Sequence, residues 1–288
     1  MMQITKEQLK AWNACDDGYA LFESHFPEGH AEYQTILNTL ADRDFPDYAN
    51  WLMDRAGCDE HAVIEIDAIT NRKHFFAAGS IVIKASAVVT WTLRAGGRIK
   101  AGGSIKAGRG IEAGFGIEAG RGIKAGDGIK TGRGIKAGDG IEAGFGIEAG
   151  FGIEAGGRIK AGERIKAGWS IEAGERIEAG ERIEAGRGIE AGDGIEAGGR
   201  IKAGFGIKAG RGIEAGRGIE AGRGIEAGDG IEAGGSIEAG NGFGVFAGLR
   251  SRLTDWPVSA RVIAKTKPNN LVSGSWVEWS EKATEEDA

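Results

Sequence analysis

From Ile99 to Ile237 an isoleucine stands at every sixth position without a slip, 24 in succession. Each unit reads x-[Gly/Arg/Ser]-Ile-[Glu/Lys]-[Ala/Thr]-Gly, as in Arg109-Gly110-Ile111-Glu112-Ala113-Gly114. A period of six does not fit an α-helix, whose turn takes about 3.6 residues. The triplet Ile-Glu-Ala does fit a short strand, with Ile and Ala on one face and the charge on the other. Gly-x-Gly then predicts a corner, since glycine tolerates the positive φ of a sharp bend. Strand and corner in alternation describe a β-solenoid. One hexad cannot bury its isoleucine alone, so successive coils must stack.

Carried outward, the isoleucine position is filled by Phe75, Ile81, Ala87 and Leu93 upstream and by Phe243 and Leu249 downstream, with Val63 and Ile69 in phase. The expected fold is therefore mainly β, a single-stranded β-solenoid over residues 61–250. A coil could hold 12 or 18 residues. The Glu/Lys position gives 14 opposite-sign pairs of 21 at a separation of 18 and 14 of 22 at a separation of 12. Both are favourable cross-strand ladders, so charge does not choose between them. A triangular coil of about 18 residues is preferred because an Ile/Ala pair is small enough to fill a triangular interior. Handedness is not legible.

Composition agrees that the glycine is structural. Glycine supplies 53 of 288 residues but proline only 4, too few for collagen or a proline-rich linker, and 41% of residues are hydrophobic, too many for a flexible tail. No stretch reaches the roughly 18 consecutive apolar residues of a membrane helix, and the opening residues lack the order of a signal peptide, so the expectation is a cytoplasmic chain without membrane contact. Cys15 and Cys58 are too few for a disulfide framework and are read as free thiols. The formal charge of −6 is uneven. Residues 1–60 carry 4 Lys/Arg against 12 Asp/Glu, whereas residues 91–250 carry 24 against 22.

Residues 1–60 read as a small helical domain. Thr5 and Gln8 form a capping-box pattern, Leu9 and Trp12 share a face, and Gly18 is a plausible stop. A second helix is predicted from His30 to Arg43 and a third from Pro46 to Ala56. At the other end, residues 251–280 read as a β-hairpin cap. Val258, Ala260 and Val262 alternate, Lys267-Pro268-Asn269-Asn270 signals a turn, and Leu271 to Trp279 returns. Trp256, Trp276 and Trp279 would cover the open hydrophobic end. Residues 281–288 read as an acidic, solvated tail.

Little in the chain suggests catalysis. Left-handed hexapeptide acyltransferases and related carbonic anhydrases use histidine as base or metal ligand, but His25, His30, His61 and His74 all precede the strict repeat. A site of Cys15, His25, His30 and Cys58 matches no familiar zinc spacing. Asp127, Asp139, Asp193 and Asp229 are too scattered for calcium repeats, and Thr131 is the lone threonine of the strict repeat, against ice binding. Glycine pairs lack the Lys-Ser/Thr of a phosphate loop. A nearly neutral solenoid neither mimics nucleic acid nor attracts it. No cofactor, metal or catalytic residue is expected.

A surface remains. At steps of 18 the outward corner carries Phe115, Arg133, Phe151, Trp169, Arg187, Phe205 and Arg223, one continuous column of the residue types that dominate binding hot spots, while Phe145 falls on another edge.

The rhythm Gly97-Arg98-Ile99-Lys100-Ala101 resembles the bactofilins, polymer-forming bacterial cytoskeletal proteins with a triangular β-helix. That resemblance implies self-assembly, although bactofilins have short tails where this chain has terminal domains. Separately, Ile4-Thr5-Lys6-Glu7-Gln8-Leu9-Lys10-Ala11-Trp12-Asn13-Ala14-Cys15 is similar to a short domain at the start of enterobacterial phage and prophage proteins, which implies a phage-linked origin. The expected function is a non-enzymatic, rigid solenoid that binds a protein partner through the column, such as a phage-encoded inhibitor of a host complex. The alternative is a self-assembling structural protein, joined through its ends or its C-terminal cap.

Overall fold

Each Ile-[Glu/Lys]-Ala triplet is a strand, and each lies parallel to the strand 18 residues on. The computed structural model describes residues 2–251 and 254–280; the tail expected at 281–288 lies outside the described residues. It divides into two units. One holds the residues up to Gly126 together with Lys130–Gly132, the other Asp127–Ile129 together with the residues from Arg133 on. Both are parallel β-solenoids with three strands to a turn of 18, which settles the coil size. In the first unit Ile81, Ile99 and Ile117 stack in register. In the second, Ile135, Ile153, Ile171, Ile189, Ile207 and Ile225 do the same.

The repeat isoleucines form the interior, none more than 3% exposed, and the alanines beside them are almost as buried. Oppositely charged neighbours on adjacent rungs pair on the outside, as Lys136 does with Glu154 at 2.8 Å and Lys202 with Glu220 at 2.8 Å. Such exposed pairs contribute at most about 1 kcal/mol each, so cohesion comes from the core and the backbone ladder.

Glycine's role differs from the one expected. Among the described glycines only Gly29, Gly57, Gly242, Gly248 and Gly274 have positive φ, and none belongs to the strict repeat. The reason is close approach. A Cβ on Gly168 would lie 1.9 Å from the carbonyl oxygen of Gly150, and the same position is similarly confined from Gly102 to Gly132 and from Gly156 to Gly240. The glycine before isoleucine has more room: a Cβ on Gly188 would lie 3.6 Å from the Gly206 oxygen, and even the tightest, on Gly140, would lie 3.0 Å from the Arg158 oxygen. That is the position where the sequence admits arginine and serine.

Register departs from expectation at both ends. Upstream, Phe75 pairs with Leu93 and Ile69 with Ala87, in phase, but Val63 pairs with Ser80 and is 54% exposed. Downstream, a turn at Gly240–Phe243 adds two residues, so Val245 rather than Phe243 follows Ile225 in the core. Phe243 and Leu249 are exposed.

The first unit opens with helices α1 (Lys6–Ala11), α2 (Asp16–His25), α3 (Tyr33–Asp42) and α4 (Pro46–Ala56). Thr5 and Gln8 make the capping box of α1, and Asn13 with φ 60° ends that helix. Gly18 is not a stop. It lies in the first turn of α2, where its N–H donates to the Cys15 Sγ. His30–Glu32 is a strand antiparallel to Gln3–Thr5, so α3 starts later than expected. The helices pack on the outer face of the strand Ile69–Ala77: Phe76 and Ala78 enter the same core as Leu37 and Tyr33.

The C-terminal segment is β but not a hairpin. Arg261–Ala264 pairs parallel with Ser275–Glu278, and Leu271–Ser273 pairs parallel with Val245–Phe246. The turn at Lys267–Asn270 therefore carries the chain to another face of the solenoid instead of reversing it. Val258 lies in α5 (Trp256–Ser259), not in a strand. Trp276 follows Ile231 and Val262 in one core column and sits on its last rung.

Candidate partner-binding edge

Six residues of the expected column lie in the second unit, one per rung. Phe151 N–H donates to the Arg133 carbonyl at 3.0 Å, Trp169 to Phe151 at 2.9 Å, Arg187 to Trp169 at 2.8 Å, Phe205 to Arg187 at 3.0 Å and Arg223 to Phe205 at 2.9 Å. Phe115 belongs to the first unit, where its N–H donates to Gly97 at 3.1 Å and its ring is half-buried. Backbone pairing fixes the spacing, and the confined glycine before each residue aims it outward.

The side chains stack on one another. Phe151 and Trp169 have centroids 5.9 Å apart. The Arg187 guanidinium lies 4.0 Å from the Trp169 centroid and 5.8 Å from that of Phe205, and the Arg223 guanidinium lies 4.2 Å from Phe205 and 5.7 Å from Phe243. Cation–π contacts at exposed sites contribute about 0.5–1 kcal/mol each. Their larger effect is to order long side chains that would otherwise be mobile. Phe151 and Trp169 remain 49% and 48% exposed, large apolar surface that a folded monomer rarely leaves bare. Phase alone assigns Phe243 to the core. The two-residue insertion moves it onto the edge, and no periodicity signals that. Phe145, 55% exposed, stands on a different edge, beside Glu163.

The first unit has a smaller stack of the same kind: Lys73 and Arg109 lie 4.6 and 4.4 Å from the Trp91 ring. His74, fully buried, sets Nε2 3.1 Å from Asp44 Oδ1. Lys73, hydrogen-bonded to Asp44, holds that carboxyl below its ordinary range, with desolvation opposing and His74 assisting.

The helical part of the first unit buries Ile4, Leu9, Phe22, Ile36, Leu37, Leu40 and Leu52 in one cluster. Residues 2–57 match the family model described as the YdhT N-terminal domain. No curated protein and no solved structure matches the chain. Within residues 2–57 a cavity of about 240 Å³ opens among Leu9, Phe22, Phe26, Leu40 and Trp51, almost wholly apolar. His25 Nδ1 is turned to the Leu21 carbonyl, and His30 to Glu28. Among the described residues no group of three or more His, Cys, Asp or Glu is placed to hold a metal ion, so Cys15, His25, His30 and Cys58 are not brought together. No helix among them is long and apolar enough to cross a membrane.

Proposed function

We propose that the chain is a non-enzymatic scaffold whose second unit presents the edge Arg133, Phe151, Trp169, Arg187, Phe205 and Arg223 to a protein partner. The supporting observation is the stack itself: aromatic rings, half-exposed and packed against arginines, on a backbone ladder hydrogen-bonded from rung to rung. Rigid aromatic and arginine anchors bind at low entropic cost. The similarity of residues 4–15 to the start of phage and prophage proteins supports a phage-encoded inhibitor of a host complex. Free Cys15 and Cys58 support a cytoplasmic location. The test is co-purification from the native host. Phe151→Ala/Trp169→Ala/Phe205→Ala abolishes capture of a discrete partner that Phe145→Ala retains; equal capture by both variants excludes this edge.

A second reading, bactofilin-like self-assembly, draws on the last rung. Val272 is 64% exposed and Trp276 36% exposed on strands at the end of the stack. Open strand edges of this kind invite pairing with a second copy. Electron microscopy separates the readings: filaments favour assembly, and particles of fixed mass favour the scaffold.

A further inference from the structure

Arg187 and Arg223 each lie against the rings of two residues, Trp169 and Phe205 for the first, Phe205 and Phe243 for the second. Each guanidinium is flanked by aromatic side chains of the rungs above and below, which restricts its rotamers and leaves its N–H donors to an acceptor beyond the column. Both arginines are exposed, and among the described residues neither has a carboxylate within ion-pair distance, whereas Arg182, Arg211 and Arg94 do. Each is therefore an ordered fork of donors awaiting an acceptor, and the planar fork suits a carboxylate bidentately. The two forks are two turns of the solenoid apart, and so about 9.6 Å apart at about 4.8 Å per rung.

We infer that this edge binds an extended acidic segment of its partner, with carboxylates at every third residue of a polyproline II strand. The spacing chooses the conformation: polyproline II rises about 3.1 Å per residue and returns to the same side after three, or about 9.3 Å. A β-strand places residues three apart on opposite sides. The flanking faces choose a narrow ligand. Glu190 and Glu226 border the column on one side and Glu184 and Glu220 on the other; on the rung between them stand Lys208 and Lys202, paired with Glu190 and Glu220, so both flanks stay net acidic and a broad acidic surface is repelled while a single strand along the corner is not. Between the forks, the exposed Phe205 offers apolar surface to the proline residues. This inference deepens the proposed function and depends on the same edge.

The experiment is an anisotropy titration of the full chain with a fluorescein-labelled peptide of six Glu-Pro-Pro repeats, beside a block peptide of the same composition in which all the glutamates precede all the prolines. The periodic peptide binds at least about tenfold more tightly than the block peptide, and Arg187→Lys/Arg223→Lys, which keeps the charge but not the fork, removes that preference. Equal binding of the two peptides, or an unchanged preference in the lysine variant, overturns the inference, as does tighter binding of a single-stranded oligonucleotide. Its failure is distinct from failure of the edge itself. If the lysine variant still captures the host partner and Phe151→Ala/Trp169→Ala/Phe205→Ala does not, the edge stands and the acidic ligand falls.

Discussion

The carbonyl oxygen of Gly150 occupies the space that a Cβ on Gly168 would need, 1.9 Å away. This contact, repeated down each corner, makes the glycine after alanine obligatory. Gly168→Ala should therefore force two rungs apart and cost about 3 kcal/mol. Gly188→Ala, whose Cβ would meet the Gly206 oxygen at an ordinary 3.6 Å, should change stability by less than about 1 kcal/mol. Urea denaturation followed by circular dichroism measures both. Equal effects would remove the steric account of the repeat.

Ile165 is fully buried between Ile147 and Ile183 on neighbouring rungs. Truncation to alanine should cost about 2–5 kcal/mol through lost burial and the cavity left behind. Ile165→Lys, a buried charge without a partner, should unfold several coils. A thermal melt of the lysine variant that superposes on wild type would place Ile165 outside the core.

One face of the second unit carries Glu196, Glu214 and Glu232 in register on successive rungs. Glu214 is held above the ordinary carboxylate range, first by desolvation and then by the carboxylates of Glu196 and Glu232. A raised folded pKa means that the native state binds the proton more readily than the unfolded chain. The ionised ladder therefore weakens the fold at neutral pH, and the penalty is relieved as pH falls through the raised pKa. Glu214→Gln should be more stable than wild type at pH 7, and the difference should vanish below about pH 4. An advantage that persisted in acid would mean that charge is not the cause.

The amide of Gln34 joins helix α3 to the first coil: Nε2 donates to the Phe76 carbonyl at 2.9 Å and Oε1 accepts from the Ala78 N–H at 2.9 Å. Gln34→Ala leaves both backbone groups without partners and should cost about 1–3 kcal/mol. Gln34→Glu keeps the acceptor and loses the donor, and should fall between. Hydrogen exchange at Ala78 reports the loss directly; unchanged protection in Gln34→Ala would show that the amide does not hold the junction.

The core of this fold was legible because Ile99 to Ile237 repeat in one phase, and a strand of three residues has only one way to bury Ile and Ala together. Coil size was not, since Glu and Lys pair favourably at both separations, and only the match of Ile135 with Ile153 decides it. The ends lost legibility where phase broke. The two residues inserted before Val245 sent Phe243 to the surface, and Gly18 reads as a helix stop although Asn13, in the left-handed region, is the one that ends α1. The edge residues could be aligned from spacing alone. That Arg187 and Arg223 set their guanidinium groups 4.0 and 4.2 Å from the Trp169 and Phe205 ring centroids depends on rotamers, which no periodicity encodes.

The proposed edge is tested most directly by photo-crosslinking in the native host, with p-benzoylphenylalanine placed at position 205 in one variant and at position 145 in another. Both sites are exposed aromatic positions on the same scaffold, on different edges. A discrete crosslinked product at 205 and none at 145 is the predicted result; the same product from both, or one from 145 alone, would contradict the account.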